Sequence, residues 1–284
     1  MKNTAILLIH CPDRKGIVAS VAEFLYRHNG NILHADQHQD SPLGLFLMRI
    51  EWDLHDFDIN MTHFEQQFAP LAECFQMHWR LECSSIRPRV AVFVSRYDHC
   101  LADLLHRYQN GELRCEVSLI ISNHVDAQRL ANFHGISFYH IPVKATNKNE
   151  VESQQLKLLH EHRIDLIVLA RYMQILSADF VSHYPQRIIN VHHSFLPAFS
   201  GARPYHRAYE RGVKLIGATS HYVTDILDEG PIIEQDVVRI SHRDQLEEII
   251  MKGRDLEKVV LARAVHWHIN HRILIYANKT VVFN

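Results

Sequence analysis

One short segment of the chain places an amide and an imidazole two residues apart at the end of an apolar run. Asn190 and His192 close the run that begins at Ile188. Residues two apart in an extended strand face the same way, so both side chains can reach one substrate atom. An Asn amide donates hydrogen bonds, and a histidine donates or accepts a proton near neutral pH. The spacing therefore indicates a polar catalytic pair at a strand end.

A carboxylate that orients and polarises the imidazole is expected elsewhere in the chain. A second polar segment supplies two candidates, Asp225 and Asp228, just before the Gly230-Pro231 break. Gly and Pro together are typical of a turn, which can carry a side chain to the edge of a sheet. Together the two segments predict a catalytic Asn, His and Asp.

The two segments also match a known pattern. Residues 190–197 follow Asn-x-His-x-Ser-x-Leu-Pro, and residues 221–231 follow His-x-Val-x-Asp-x-x-Asp-x-Gly-Pro. This pair resembles the folate-dependent formyltransferase family. The resemblance assigns the catalytic carboxylate to Asp228 and leaves Asp225 as a structural or pterin-side residue. Transferases of the family usually carry Pro after the catalytic His, whereas this chain has His193.

The variant His-His-Ser-Phe-Leu-Pro-Ala-Phe at 192–199, with Gly-Ala-Arg-Pro-Tyr-His at 201–206, is similar to the hydrolytic branch of that family. The turn at 95–100 agrees, because its aromatic ring and carboxylate suit a phosphate cradle poorly. The resemblance implies cleavage of 10-formyltetrahydrofolate by water to formate and tetrahydrofolate, which balances the one-carbon folate pool. A formyltransferase to a small amine is the alternative, and a catalytically silent folate- or amino-acid-sensing protein is another.

Hydrolysis of an N-formyl group requires an attacking water, a stabilised oxyanion and a protonated leaving nitrogen. Asn190 is the predicted oxyanion donor. His192 is predicted to help to stabilise the oxyanion and to handle a proton. Asp228 is predicted to position His192 and to help to activate the water. His193 either shapes the site or packs beneath it. No metal or redox cofactor is expected.

The resemblance also implies a folate pocket formed by two loops. A flat heterocycle with several donors and acceptors suits main-chain recognition between apolar side chains. The alternative for the apolar members of these loops is an ordinary place in the core. Many relatives carry Arg where this chain has Gln174. If the side chain at this position contacts the glutamate tail of the folate, this difference changes the affinity for polyglutamylated folate. The predicted substrate-binding residues are Met173, Gln174, Ile175, Leu176, His193, Val223, Thr224 and Asp225.

The first part of the chain has the order β-α-β-β-α-β. Strands are predicted at 4–10, 32–39, 43–52 and 74–82, and helices from 17 to the Asn29-Gly30 pair and at 61–68. This order resembles a ferredoxin-like ACT domain. Asp13, Gly16 and Asn31 fall where such modules hold an amino-acid effector, for which glycine and methionine are the candidates; the alternative is a helix cap and a required glycine. ACT modules commonly pair, so we expect a homo-oligomer.

A short polar segment at 84–89 marks the predicted boundary between an ACT-like domain at 1–84 and a catalytic domain at 85–284. Apolar strand segments then alternate with helical patterns. This alternation predicts an α/β, Rossmann-like formyltransferase domain with a largely parallel sheet and ligands at the carboxyl ends of its strands. The predicted strands lie at 90–95, 117–122, 137–141 and 166–170.

The composition of the chain argues against several classes of partner, namely nucleic acid, metal ions and membranes. A net charge of −2 over 284 residues offers no basic field for nucleic acid. The five cysteines lack paired metal spacing, which favours reduced thiols in a cytoplasmic protein. No long apolar segment suggests a signal peptide or a membrane span. His266, His268 and His271 do not share a helix face, so no metal site is predicted there.

Overall fold

The computed structural model describes residues 3–198 and 203–283. Motif positions 199, 201 and 202 therefore lie outside the described residues. The chain forms two compact units, the first with residues 1–86, 270–276 and 281–284, and the second with residues 87–269 and 277–280. The predicted division at residues 84 and 85 gave the entire C-terminal segment to the second domain. The structure differs there, because part of that segment belongs to the first unit.

The first unit contains a four-stranded antiparallel sheet with strand order β2-β3-β1-β4. Two helices bury their apolar faces against it, and Ile17, Val21 and Leu25 form the buried stripe of α1 at helical spacing. The predicted β-α-β-β-α-β order is confirmed. The elements are β1 (Thr4–Pro12), α1 (Ile17–Arg27), β2 (Asn31–Asp40), β3 (Leu45–Asp53), α2 (Phe64–Phe75) and β4 (His78–Cys83).

The prediction was wrong about where α2 ends. The helix continues through Pro70 to Phe75, although a helix end at residue 68 and a strand from residue 74 were expected. Phe64, Phe68 and Ala72 recur every four residues and are all buried, so packing keeps the helix intact past the proline. Gln76 then adopts a left-handed conformation and ends the helix.

The second unit contains a seven-stranded sheet with strand order β11-β10-β9-β8-β5-β6-β7. Strands β5 to β9 are parallel, and β10 and β11 are antiparallel to their neighbours. The predicted largely parallel α/β fold is confirmed. The elements are β5 (Arg89–Val94), α3 (His99–Gln109), β6 (Glu116–Ser122), α4 (Gln128–Phe133), β7 (Ser137–His140), α5 (Lys148–Glu161), β8 (Leu166–Leu169), α6 (Ala178–His183), β9 (Ile188–His192), α7 (Pro204–Arg211), β10 (Leu215–Tyr222), β11 (Ile232–Arg239) and α8 (Leu246–Ile269).

A C-terminal hairpin of β12 (Ile273–Tyr276) and β13 (Lys279–Val282) completes the fold. Residues 273–276 and 281–282 of this hairpin belong to the first unit and pack on its sheet. Burial of these apolar side chains explains why this end of the chain groups with the first unit. The buried cluster contains Leu8, Leu47, Leu274, Tyr276 and Phe283.

Two further predictions concern composition. All five cysteines are free thiols. Among the described residues, no helix has the length and apolar character needed to cross a membrane.

Candidate active site

A cavity of about 320 Å³ opens where β8 and β9 end. Parallel α/β sheets bind ligands at this edge, because the loops that follow the strands converge there. All the residues that the sequence analysis placed in the catalytic set and in the folate pocket line this one cavity. They are Met173, Gln174, Ile175, Leu176, Asn190, His192, His193, Val223, Thr224, Asp225 and Asp228.

His192 is the most buried member of the predicted catalytic set, with 5% of its surface exposed. Its Nδ1 lies 3.2 Å from Oδ2 of Asp228. Its Nε2 is buried and has no hydrogen-bond partner among the described residues. An imidazole whose Nδ1 hydrogen is held by a carboxylate presents a free Nε2, and this atom can exchange a proton with a bound substrate.

Asp228 is held in its ionised form by two histidines. Burial opposes its ionisation, but the hydrogen bond from His192 and the proximity of His221 outweigh burial and keep the pKa of the carboxyl far below its usual value. Its second oxygen, Oδ1, lies 3.7 Å from Nε2 of His221. The residue itself adopts a left-handed backbone with φ of 58°. The carboxylate therefore faces both imidazoles as a fixed negative charge.

The loop that carries Asp228 depends on Gly230. A Cβ at this position would overlap the backbone carbonyl of Tyr222, so only glycine allows the two backbone segments to approach this closely. The Tyr222 amide also donates to the Pro231 carbonyl at 2.9 Å. The loop between β10 and β11 is thus closed at its base, which returns Asp228 to the end of β9.

His221 belongs to the site, although the sequence analysis gave it no role. The antiparallel pairing of β9 and β10 places it directly opposite Asn190. The Asn190 amide Nδ2 lies 3.1 Å from His221 Nε2, and His221 Nδ1 donates to the Tyr222 carbonyl at 3.0 Å. Because a carbonyl only accepts, Nδ1 carries hydrogen and Nε2 of the neutral ring accepts from Asn190. His221 is the first residue of the second motif, but its role can be recognised only from the register between β9 and β10.

The loop after β8 forms the opposite wall of the cavity. The Met173 amide donates to Ser95 Oγ at 3.0 Å, and Gln155 Nε2 donates to the Tyr172 hydroxyl at 3.0 Å. Met173 is 54% and Ile175 61% exposed. The alternative that these two side chains are ordinary core residues was therefore wrong, because the loop leaves the sheet before reaching them. They offer an apolar surface at the mouth of the cavity.

A buried polar cluster lies next to this loop and was not anticipated from the sequence. Glu257 on α8 is only 1% exposed, and it contacts His99 Nε2 at 2.7 Å and Arg171 Nε at 3.4 Å. The Tyr205 hydroxyl donates to it at 2.5 Å. Burial opposes ionisation of Glu257, but these partners lower the pKa of its carboxyl. Glu257 is therefore a buried, paired carboxylate.

His99, Cys100 and Glu257 lie close enough for their donor atoms to surround one cation. The contact between His99 Nε2 and Glu257 already pairs two of these atoms. Burial also raises the pKa of the Cys100 thiol well above its ordinary value, and a protonated thiol is a poor metal ligand. The donor set therefore favours an internal polar network over a metal centre.

The three predicted effector residues do not come together within one chain. Gly16 precedes the first turn of α1 with φ of 97°, and Asp13 Oδ2 accepts from Gln39 Nε2 at 2.5 Å near the same end. Asn31 begins β2, after the opposite end of α1. A helix of 11 residues is about 16 Å long. One chain therefore cannot present all three residues to a single amino acid.

Comparisons with known proteins first define the class. The family model described as "Formyl transferase" matches residues 88–265, and the model described as "ACT domain" matches residues 5–57. A glycinamide ribonucleotide transformylase from Symbiobacterium toebii shares the fold with a TM-score of 0.68 and 27% identity, over 72% of this chain and 98% of that one.

Full-length relatives define the family more narrowly. A protein of Synechocystis named formyltetrahydrofolate deformylase is 57% identical over 280 residues, which cover 99% of this chain and 98% of the relative. A Pseudomonas syringae structure of the same name has a TM-score of 0.97 at 49% identity, with 100% and 95% covered. The chain belongs to the formyltetrahydrofolate deformylase family. The resemblance inferred from the motifs is confirmed.

Proposed function

We propose that this chain hydrolyses 10-formyltetrahydrofolate to formate and tetrahydrofolate. Relatives with 47–57% identity across almost the whole chain carry the name of this activity. The observation that carries the mechanism is the unpartnered, buried Nε2 of His192, in a cavity that Asn190 and Asp228 also line. A proton acceptor without a partner in such a cavity is suited to act on a bound reactant.

The first step is attack by water on the formyl carbon. The water oxygen forms a bond to that carbon while His192 Nε2 takes one of its protons, and the carbonyl becomes an oxyanion. Asp228 accepts the Nδ1 hydrogen of His192 and stabilises the imidazolium. Asn190 donates one amide hydrogen to His221, which leaves the other hydrogen for the oxyanion.

The second step breaks the bond between the formyl carbon and N10 of the folate. His192 returns its proton to N10, so tetrahydrofolate leaves with an N–H group. The formic acid that remains loses its proton and leaves as formate. The reaction consumes one water. The protein has only to transfer protons and to stabilise the oxyanion, so we expect no metal or redox cofactor.

We propose that the folate ring lies between the loop after β8 and the loop after β10. Ile226 and Leu227 on the second loop are 55% and 57% exposed and line the same cavity as Met173 and Ile175. Exposed apolar side chains on both sides suit a flat heterocycle, which buries its faces and directs its polar edge to main-chain groups. Gln174, Val223, Thr224 and Asp225 complete this proposed binding surface.

An assay without any amine tests the proposal. Purified protein is incubated with 10-formyltetrahydrofolate, and formate and tetrahydrofolate are measured over time. We expect equal amounts of both products from the unaltered chain and far less from Asp228→Asn. Formylation of an added small amine without release of formate would instead identify a formyltransferase.

We also propose that the first unit binds a free amino acid between two copies of the chain. The match to an ACT domain supports this role, and the separation of Asn31 from Gly16 along α1 requires a second copy for a site with all three residues. Calorimetric titration with glycine and methionine should show binding that Asp13→Ala and Asn31→Ala weaken in a homo-oligomer. No binding of either amino acid would reject the effector site.

A further inference from the structure

His193 occupies a special place between two cavities. It lines the cavity of about 320 Å³ described above and also a second cavity of about 410 Å³ with mainly apolar walls, and it is the one described residue that both share. Its ring lies 5.1 Å from the ring of His192, centroid to centroid, at an angle of 40°. The two imidazoles therefore lie side by side at the end of β9.

The ring nitrogens of His193 have no hydrogen-bond partner among the described residues, and the side chain is partly buried. A neutral imidazole carries one donor and one acceptor, and polar groups at such depth are normally satisfied by protein or by water. Burial, with help from the positive charge of Arg171 and from His192, lowers the pKa of His193 to about 3 against the opposing effect of Glu257 and Asp228. One of its nitrogens therefore keeps a free lone pair.

The position of His193 is fixed by packing. The Tyr205 ring lies 6.0 Å from the His193 ring, and its hydroxyl is held by Glu257. Gly253 lies one helical turn before Glu257, and a Cβ there would overlap the Tyr205 ring. Because Gly253 has no side chain, Tyr205 can pack against α8, and its ring then supports His193. The backbone of the next residue is also held, because Thr219 Oγ1 donates to the Ser194 carbonyl at 2.9 Å.

We infer that His193 is a catalytic residue that holds the attacking water. Its unprotonated ring nitrogen accepts one hydrogen of the water, and His192 Nε2 takes the other as the water oxygen bonds to the formyl carbon. The inference rests on the proposed hydrolysis and assigns the residue that delivers the nucleophile. A side chain without an acceptor at this position loses the oriented water but keeps the folate pocket.

Two substitutions separate this role from packing. His193→Phe keeps an aromatic ring and removes both nitrogens, whereas His193→Asn restores a hydrogen-bonding group. His160→Phe, on the exposed face of α5, is the matched control. We expect His193→Phe to lower kcat by about thirtyfold or more while Kd for tetrahydrofolate changes by less than about threefold. The kcat of His193→Asn should exceed that of His193→Phe by at least about fivefold, and the kcat of the control should equal that of the unaltered chain.

A competing nucleophile provides a second measurement. With hydroxylamine present, the unaltered chain should produce mainly formate, and His193→Phe should shift the products toward formohydroxamate because water loses its bound position. Unchanged kcat in His193→Phe, a parallel loss of tetrahydrofolate binding, or an Asn variant no better than Phe would each overturn the inference. Formate release by the unaltered chain is measured in parallel, and its absence would reject both the proposed function and this role.

Discussion

His221 lies directly across the β9–β10 pair from Asn190, and the His221 Nε2 and Asn190 Nδ2 atoms are 3.1 Å apart. This contact fixes the rotation of the amide and uses one of its two hydrogens. The remaining hydrogen is then directed by the strand pair and not by the substrate. Preorganised donors of this kind stabilise developing charge without a cost of reorganisation.

Loss of His221 should therefore impair catalysis more than binding. We expect His221→Ala to lower kcat by about tenfold or more, with little change in Kd for tetrahydrofolate, because Asn190 loses its orientation. Steady-state kinetics and calorimetry on the same preparation measure both. A variant with weaker folate binding and unchanged kcat would show that His221 supports the pocket and not the oxyanion donor.

The two aspartates of the second motif should behave differently. Asp228→Asn should reduce turnover by at least about a hundredfold, because the amide cannot hold the Nδ1 hydrogen of His192 as a carboxylate does. Asp225→Asn is the matched control, since Asp225 is exposed and lines the same cavity, whereas the carboxylate beside His192 Nδ1 belongs to Asp228. An inactive Asp225→Asn beside a nearly normal Asp228→Asn would reverse the assignment.

Gly230→Ala should displace the loop that carries Asp228, because the new methyl group overlaps the Tyr222 carbonyl. We expect kcat to fall by about tenfold or more and the melting temperature to decrease. Gly111→Ala is the control, since Gly111 has a positive φ, unlike Gly230, and has open space where its Cβ would lie. An equal loss of kcat in both variants would contradict a specific role of the close approach at Gly230.

Acid should destabilise the first unit through His271. Burial, together with Arg80 and Arg49, lowers the pKa of His271 from 6.5 to about 4, so the unfolded chain binds a proton that the folded chain does not bind between these values. Stability is therefore full above pH 6.5 and falls as pH decreases toward 4, by about 3 kcal/mol at most. Urea unfolding from pH 7 to 4.5 should show a shallower decrease for His271→Gln. An identical slope would contradict this contribution.

Local patterns in the sequence predicted much of the site. Asn190 and His192 share a face because strand geometry has a period of two, and this geometry needs no knowledge of the fold. His221 is different, since its role depends on the register between β9 and β10. Glu257 lies on α8, far along the chain from His99, and only the packed structure brings them together. The predicted end of α2 was wrong because tertiary packing outweighed Pro70.

The most direct measurement follows the oxygen of the attacking water. The chain is given 10-formyltetrahydrofolate in water enriched in ¹⁸O, and the formate is analysed by mass spectrometry before its oxygens exchange with solvent. Hydrolysis through the site of Asn190, His192 and Asp228 predicts one solvent oxygen in each formate, formed together with tetrahydrofolate. Formate without the label, or a formyl group recovered only on an added amine, would contradict water as the acceptor.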